Sequence, residues 1–194
     1  MTAPNRKPAF SPEDYLHWES EQLEKHEYID GEIFAMGGAR RQHVTACLSI
    51  AATLKTYLKG GPCRAYMADM KLLVTAANAY FYPDVVVTCD ARDHKADQFL
   101  EHPKLIVEVL SNTTAAYDRG NKFAAYRLIP SLQEYLLVDI DTRRADCFRL
   151  DASGHWVLYD YKGDEIVELA SIGFTAPLTA LFEDLDPPVE PFNA

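Results

Sequence analysis

Three short stretches of this chain are apolar on successive residues rather than on alternate ones: the VVVT of YFYPDVVVTC, then KLIVEVLS, and later LQEYLLVDI. A strand with no polar side must be covered on both faces, so these stretches call for a sheet held between layers. That requirement points to an α/β fold with a mixed central sheet flanked by helices. The first two stretches each carry an acid that stands out. Asp84 opens the first and Glu108 stands inside the second. A carboxylate among Val, Ile and Leu is costly to bury unless something positive compensates it, and a divalent cation is the usual compensator.

The flanking segments fill in the layers. Ser11 as N-cap, Pro12 at the first helical position and acidic Glu13 and Asp14 announce a helix, expected to end near His26, with Tyr15, Trp18 and Leu23 on its apolar stripe. EYIDGEIFAM reads as an extended segment or a hairpin about Asp30-Gly31. Val44, Cys47, Leu48, Ala51, Leu54 and Leu58 then recur at helical spacing until Gly60-Gly61-Pro62. Strands are expected over roughly 63–75, 80–89 and 104–110, and a helix from about Tyr117 to Leu128 ends before Pro130. ADCFRLD, HWVLYDY and DEIVELA alternate more visibly and predict additional antiparallel strands near the C-terminus, extending or flanking the sheet. No internal repeat or linker divides the chain, so one domain is expected over 1–194, with a core over about 11–185 and polar or Pro-rich tails at 1–9 and 186–194.

Charge and cysteine usage narrow the function classes. Lys and Arg number 19 against 29 Asp and Glu, a net charge of −10, which argues against non-specific attraction to nucleic acid through the overall field. A nucleic-acid enzyme of this composition needs a local basic rim. Cys47, Cys63, Cys89 and Cys147 form no C-x-x-C pair, and three lie in apolar segments, which argues against structural zinc and against a disulfide framework. No run approaches a membrane span and residues 1 to 10 lack a signal-peptide core, so a soluble cytoplasmic protein is expected.

Hydrolysing a phosphodiester requires neutralised charge on the phosphoryl oxygens and a water made nucleophilic, and Mg²⁺ or Mn²⁺ held by one or two carboxylates supplies both. Asp84 and Glu108 have that chemistry if their strands are neighbours; a lysine would complete it by stabilising the developing charge. Each has a blander alternative. Pro83-Asp84 is also turn chemistry, Glu27 can be a solvated helix end, and Asp118 with Lys122, four apart on a helix, can form an ordinary surface ion pair. Asp69, in AYMADMKLLV, reads first as a half-exposed strand residue, and Tyr80, Phe81 and Tyr82 as packing residues of the sheet.

The run from HEYIDGEIFAMGGARRQH, through PDVVV and LIVEVLS, to YDRGNKFAAYRLIPSLQEYLLVD resembles the Uma-two family of restriction-endonuclease-like proteins, a branch of the PD-(D/E)XK nuclease superfamily. The superfamily pattern has a Lys two residues after the second acid, where this chain has Leu110. The resemblance instead matches Lys122, on the following helix. It also places Glu27 near the metal and His43 along the cleft. It implies a PD-(D/E)XK core and a Mg²⁺- or Mn²⁺-dependent endonuclease acting on nucleic acid, with DNA the expected substrate; a homodimer is expected because it would provide the second cut of a duplex. Asp84, Glu108 and the backbone carbonyl of Val109 would hold the metal, Glu27 would be an outer or second-metal ligand, and Lys122 would orient the water and stabilise the transition state. Arg40, Arg41, Arg119, Lys122 and Arg127 are the basic groups available to phosphates. Two other functions fit the same residues: a catalytically inactive nuclease-fold regulatory or protein-interaction module, and a hydrolase of small phosphoesters.

Overall fold

The computed structural model describes residues 10–187; the expected tails lie almost wholly outside them. The chain begins with helix α1 (Pro12–Glu19), closed by a capping box between Ser11 and Asp14. It ends at Glu19, short of His26, because His26 already belongs to strand β1 (His26–Ile29). Leu23, in the connecting turn, is fully exposed rather than part of the stripe. Strand β2 (Glu32–Ala35) returns as the expected hairpin partner. Asp30 and Gly31 both have positive φ, 47° and 89°, the left-handed pair that a two-residue hairpin turn requires. Helix α2 (Arg41–Tyr57) follows and buries Ala46, Cys47, Ile50, Ala51 and Leu54. Val44 and Leu48 keep the helical spacing yet face solvent, 52% and 58% exposed, so the buried stripe is rotated from the one the sequence suggests.

Two of the expected strands are each two strands. β3 (Arg64–Met67) and β4 (Lys71–Val74) are separated by a turn in which Ala68 adopts φ 51°. β5 (Ala79–Phe81) and β6 (Val85–Thr88) are separated by Tyr82, Pro83 and Asp84. In each pair the halves belong to different sheets. β7 (Phe99–Leu100) completes the first sheet, in the order β2-β1-β5-β4-β7. Next come β8 (Pro103–Val109), a helical stretch, and β9 (Glu134–Asp139). β10 (Arg144–Leu150) and β11 (Trp156–Lys162) extend the second sheet, whose order is β11-β10-β9-β8-β6-β3. Its β8 and β9 are parallel and its other pairs antiparallel, which makes it mixed. DEIVELA does not join this sheet. It contributes β12 (Ile166–Leu169), which pairs with β13 (Phe174–Pro177) as a separate ribbon.

Burial explains the continuous apolar runs. Val85, Val87, Leu105, Val107, Val109, Leu136 and Val138 pack with α2 and the β12–β13 ribbon on one face. Val86, Ile106, Leu110, Tyr135 and Leu137 pack on the other, against the first sheet and the helical stretch. Odd and even positions of each strand thus enter different cores, leaving no position for a polar face. One cysteine expectation is corrected: Cys63 and Cys89 are disulfide-bonded. The register that sets Arg64 opposite Thr88 brings the residues just beyond those strand ends together, a pairing that spacing along the sequence does not reveal. Cys47 and Cys147 are free and buried.

Candidate active site

Strands β6 and β8 run side by side with Val85 opposite Val107, so Asp84, immediately before β6, comes level with Glu108. The backbone N–H of Asp84 donates to Glu108 Oε2 at 3.2 Å. In return, the N–H of Val109 donates to Asp84 Oδ2 at 2.8 Å. This reciprocal clamp sets both carboxylates at one end of the strand pair.

The connection between β8 and β9 delivers the lysine. It runs from α3 (Ala115–Tyr117) through a π-helical turn, Asp118–Lys122, into α4 (Phe123–Tyr126). Such turns insert one extra residue per turn and are frequent at functional sites. Lys122 closes the turn, is only 6% exposed, and sets Nζ 2.9 Å from Glu108 Oε1, 3.3 Å from Glu27 Oε1 and 3.8 Å from Asp118 Oδ1. The surface-pair alternative for Asp118 and Lys122 is therefore wrong in its setting, since both are buried. Glu27 sits on β1 of the other sheet and faces the same ammonium.

The fold thus gathers Glu27, Asp84, Glu108 and Lys122, four groups from separate elements. The sequence did not single out their supports. The hydroxyl of Tyr126 donates to Glu108 Oε1 at 2.9 Å from a position four residues beyond Lys122. Tyr82 donates its N–H to Glu27 at 3.5 Å and its hydroxyl to buried Glu19 at 2.7 Å. His43 lies where the cleft was expected, with Nε2 2.9 Å from the Val109 carbonyl and 3.3 Å from Asp84 Oδ2. Its Nδ1 is 3.5 Å from the thiol of Cys47, which the sequence reading treated only as an apolar residue. The helical spacing of His43 and Cys47 was the available signal.

The electrostatics follow from burying more acid than base. Burial pushes the Glu108 carboxyl up to about 8; Lys122 opposes this while Asp84 and Asp118 reinforce it. Burial raises Asp118 as well. At Asp84 burial acts in the same direction, but hydrogen bonding and charge from His43, the Val109 N–H and Lys122 outweigh it and leave the carboxyl below its ordinary value. His43 is raised in turn, mainly by its hydrogen bond to Asp84. Burial works to lower Lys122, but Glu108, Glu27 and Asp118 together hold it firmly protonated. Four acidic side chains thus stand against one ammonium and one imidazole, and Glu108 keeps its proton for want of further positive charge. A further cation fits that excess, and carboxylate and carbonyl oxygens are the donors that Mg²⁺ and Mn²⁺ select.

The rim is less basic than the arginine count suggests. Arg40 lies 3.6 Å from Asp141, Arg41 pairs with Asp186, Arg119 pairs with Asp146, and Arg127 sits over the Phe123 ring. Asp69 is an exposed turn residue bonded to Lys25 at 2.7 Å, which removes it from the site. Tyr80, Phe81 and Tyr82 are buried, as expected of packing residues.

Fold and sequence agree on the class: the chain belongs to the family described as "Putative restriction endonuclease" (Uma2), which matches residues 12–179. It is 42% identical over 178 residues to "Uncharacterized protein slr1290" of Synechocystis sp. (strain ATCC 27184 / PCC 6803 / Kazusa), covering 92% of this chain and 94% of that one. A second protein of the same organism, "Uncharacterized protein sll1609", is 33% identical over 153 residues, covering 78% and 86%. Among solved structures, the chain resembles a "putative nuclease belonging to DUF820" from Anabaena variabilis ATCC 29413. The TM-score is 0.69 at 18% identity, over 84% of this chain and 92% of the other, a likeness of fold. Among the described residues no helix is long and apolar enough to cross a membrane.

Proposed function

We propose that this protein is a divalent-metal-dependent endonuclease that hydrolyses phosphodiester bonds of DNA. The observation that carries this reading is the reciprocal clamp of Asp84 and Glu108 with the Lys122 ammonium 2.9 Å from Glu108. Asp84, Glu108 and the carbonyl of Val109 would hold the cation, with Glu27 outside them. When bound, Mg²⁺ or Mn²⁺ supplies Lewis-acid neutralisation of the phosphoryl oxygens and lowers the pKa of water. Lys122, held charged by its carboxylate neighbours, offers a proton-bearing group to the attacking water and a positive charge to the phosphorane-like transition state. Tyr126 and the Asp84 N–H fix the orientation of the Glu108 carboxylate. His43 orients Asp84 and leaves it anionic. A homodimer would supply the second cut of a duplex.

The pairing of Arg40, Arg41 and Arg119 with acids favours a second reading, hydrolysis of a smaller phosphoester that needs no extended basic track. Incubating the protein with supercoiled plasmid, short labelled oligonucleotides and a generic phosphodiester, with Mn²⁺, Mg²⁺ or chelator, separates the two. Plasmid cleavage that requires metal and falls by roughly 10²-fold or more in Asp84→Asn and Glu108→Gln is the expected result. Turnover of the small ester without plasmid cleavage would replace the first reading by the second.

A further inference from the structure

A second set of donors stands against the carboxylate pair, and its chemistry differs. His43 and Cys47, one turn apart on α2, and Asp84 each present a ligand atom, all within 4.8 Å of one another. The Cys47 thiol is 3.5 Å from His43 Nδ1, and His43 Nε2 is 3.3 Å from Asp84 Oδ2. Imidazole, thiolate and carboxylate are the three side-chain classes that Zn²⁺ takes at about 2.0–2.3 Å, whereas Mg²⁺ takes oxygen. One imidazole presents a single nitrogen to a given cation: Nδ1 is the one beside the thiol, and Nε2 lies 2.9 Å from the Val109 carbonyl oxygen. That kind of outer contact orients ligating imidazoles. His43 and Asp84 retain some solvent access while Cys47 is buried, so the set is open on one side and closed by sulfur on the other.

We propose that His43, Cys47 and Asp84 bind a borderline transition cation of the Zn²⁺ class, and that this cation competes through the shared Asp84 with the hard cation of the carboxylate pair. Binding forms metal–nitrogen, metal–sulfur and metal–oxygen bonds and releases the Cys47 proton to solvent, leaving a fourth position for water or a phosphate oxygen. A hard cation gains little from a sulfur ligand, so the set discriminates by softness. The binding stands on these three residues alone; the competition rests on the nuclease reading.

Co²⁺ is the probe, because a thiolate ligand gives it a sulfur-to-metal charge-transfer absorption. Titration of the full chain with Co²⁺ is expected to develop that band and Zn²⁺ to abolish it. Glu108→Gln and Cys147→Ser should retain it. Cys47→Ser should lose it and weaken Zn²⁺ binding by at least roughly tenfold, with far-UV circular dichroism confirming that the variant is folded. No band in the wild type, or an equal band in Cys47→Ser, would overturn the site. In parallel, Mn²⁺-dependent plasmid cleavage should be inhibited by Zn²⁺ at lower concentration in the wild type than in Cys47→Ser, each compared with its own Mn²⁺ rate. Equal inhibition of both overturns the competition. Absence of cleavage overturns the nuclease reading and with it the competition, while the absorption band still decides the site.

Discussion

At the scale of single residues, Lys122 is held by opposing charges rather than by solvent. Its ammonium is buried against Glu108, Glu27 and Asp118, and removing one member of a buried ionic cluster leaves the others uncompensated. Lys122→Met should therefore lower the unfolding free energy by about 3–5 kcal/mol in urea titrations, with Mn²⁺ restoring part of the loss if it binds the same carboxylates. Glu108 makes the metal-free protein sensitive to pH in an unusual direction. Its folded carboxyl holds a proton up to about 8 against an ordinary value of 4.5, so the native state carries the extra proton in that window. Stability from this group is full below the window and is lost as pH rises through it. Asp84, depressed below its ordinary 3.8, contributes above that value and loses its contribution as pH falls further. Chemical denaturation in chelator should therefore show greatest stability at mildly acidic pH, and saturating Mn²⁺ should flatten the decline toward pH 8.

At the scale of elements, the register of the π-helical turn decides where Lys122 points. Each residue turns an α-helix by about 100°, so deleting Gly120 should regularise the turn and swing Lys122 away from Glu108. The expected result is folded protein, by circular dichroism, with metal-dependent cleavage abolished. Gly120→Ala is the control: a methyl at Gly120 meets nothing within 4 Å, so this variant should keep cleavage and gain about 0.5–1 kcal/mol from reduced unfolded-state entropy. The same stretch shows what a sequence can disclose. Glu108 inside an apolar run and a helix after it were legible, because each is a local pattern. The π turn was not, since no residue in DRGNK demands it; Phe123 and Tyr126, which follow it, are buried in the core beneath the sheet. Likewise the breaks at Ala68 and at Tyr82-Pro83-Asp84 were hidden because the two halves of each expected strand pair into different sheets, which is a fact of long-range register and not of local pattern. Val44 and Leu48 misled for the opposite reason: helical spacing identifies a face but not which face is covered.

At the scale of the whole molecule, two sheets meet where Glu27 from one reaches the Lys122 ammonium that Glu108 of the other also holds. The site is thus a product of tertiary structure, and the sequence supplied its residues through family resemblance more than through spacing. Glu27 illustrates this, since nothing around it in HEYID marks it as buried. The Cys63–Cys89 link adds a global constraint, closing a loop with a sequence separation of 26. In the chain-entropy picture its reduction should cost about 3–4 kcal/mol of unfolding free energy, measured by comparing denaturation with and without reductant.

Calorimetric titration with Mn²⁺ asks whether Asp84 and Glu108 together hold a hard divalent cation. Wild-type protein should show saturable binding, with proton release as Glu108 ionises, and folded Glu108→Gln should lose it by roughly tenfold or more. No Mn²⁺ binding by the wild type, or equal binding by both proteins, would mean that these two carboxylates do not hold the cation.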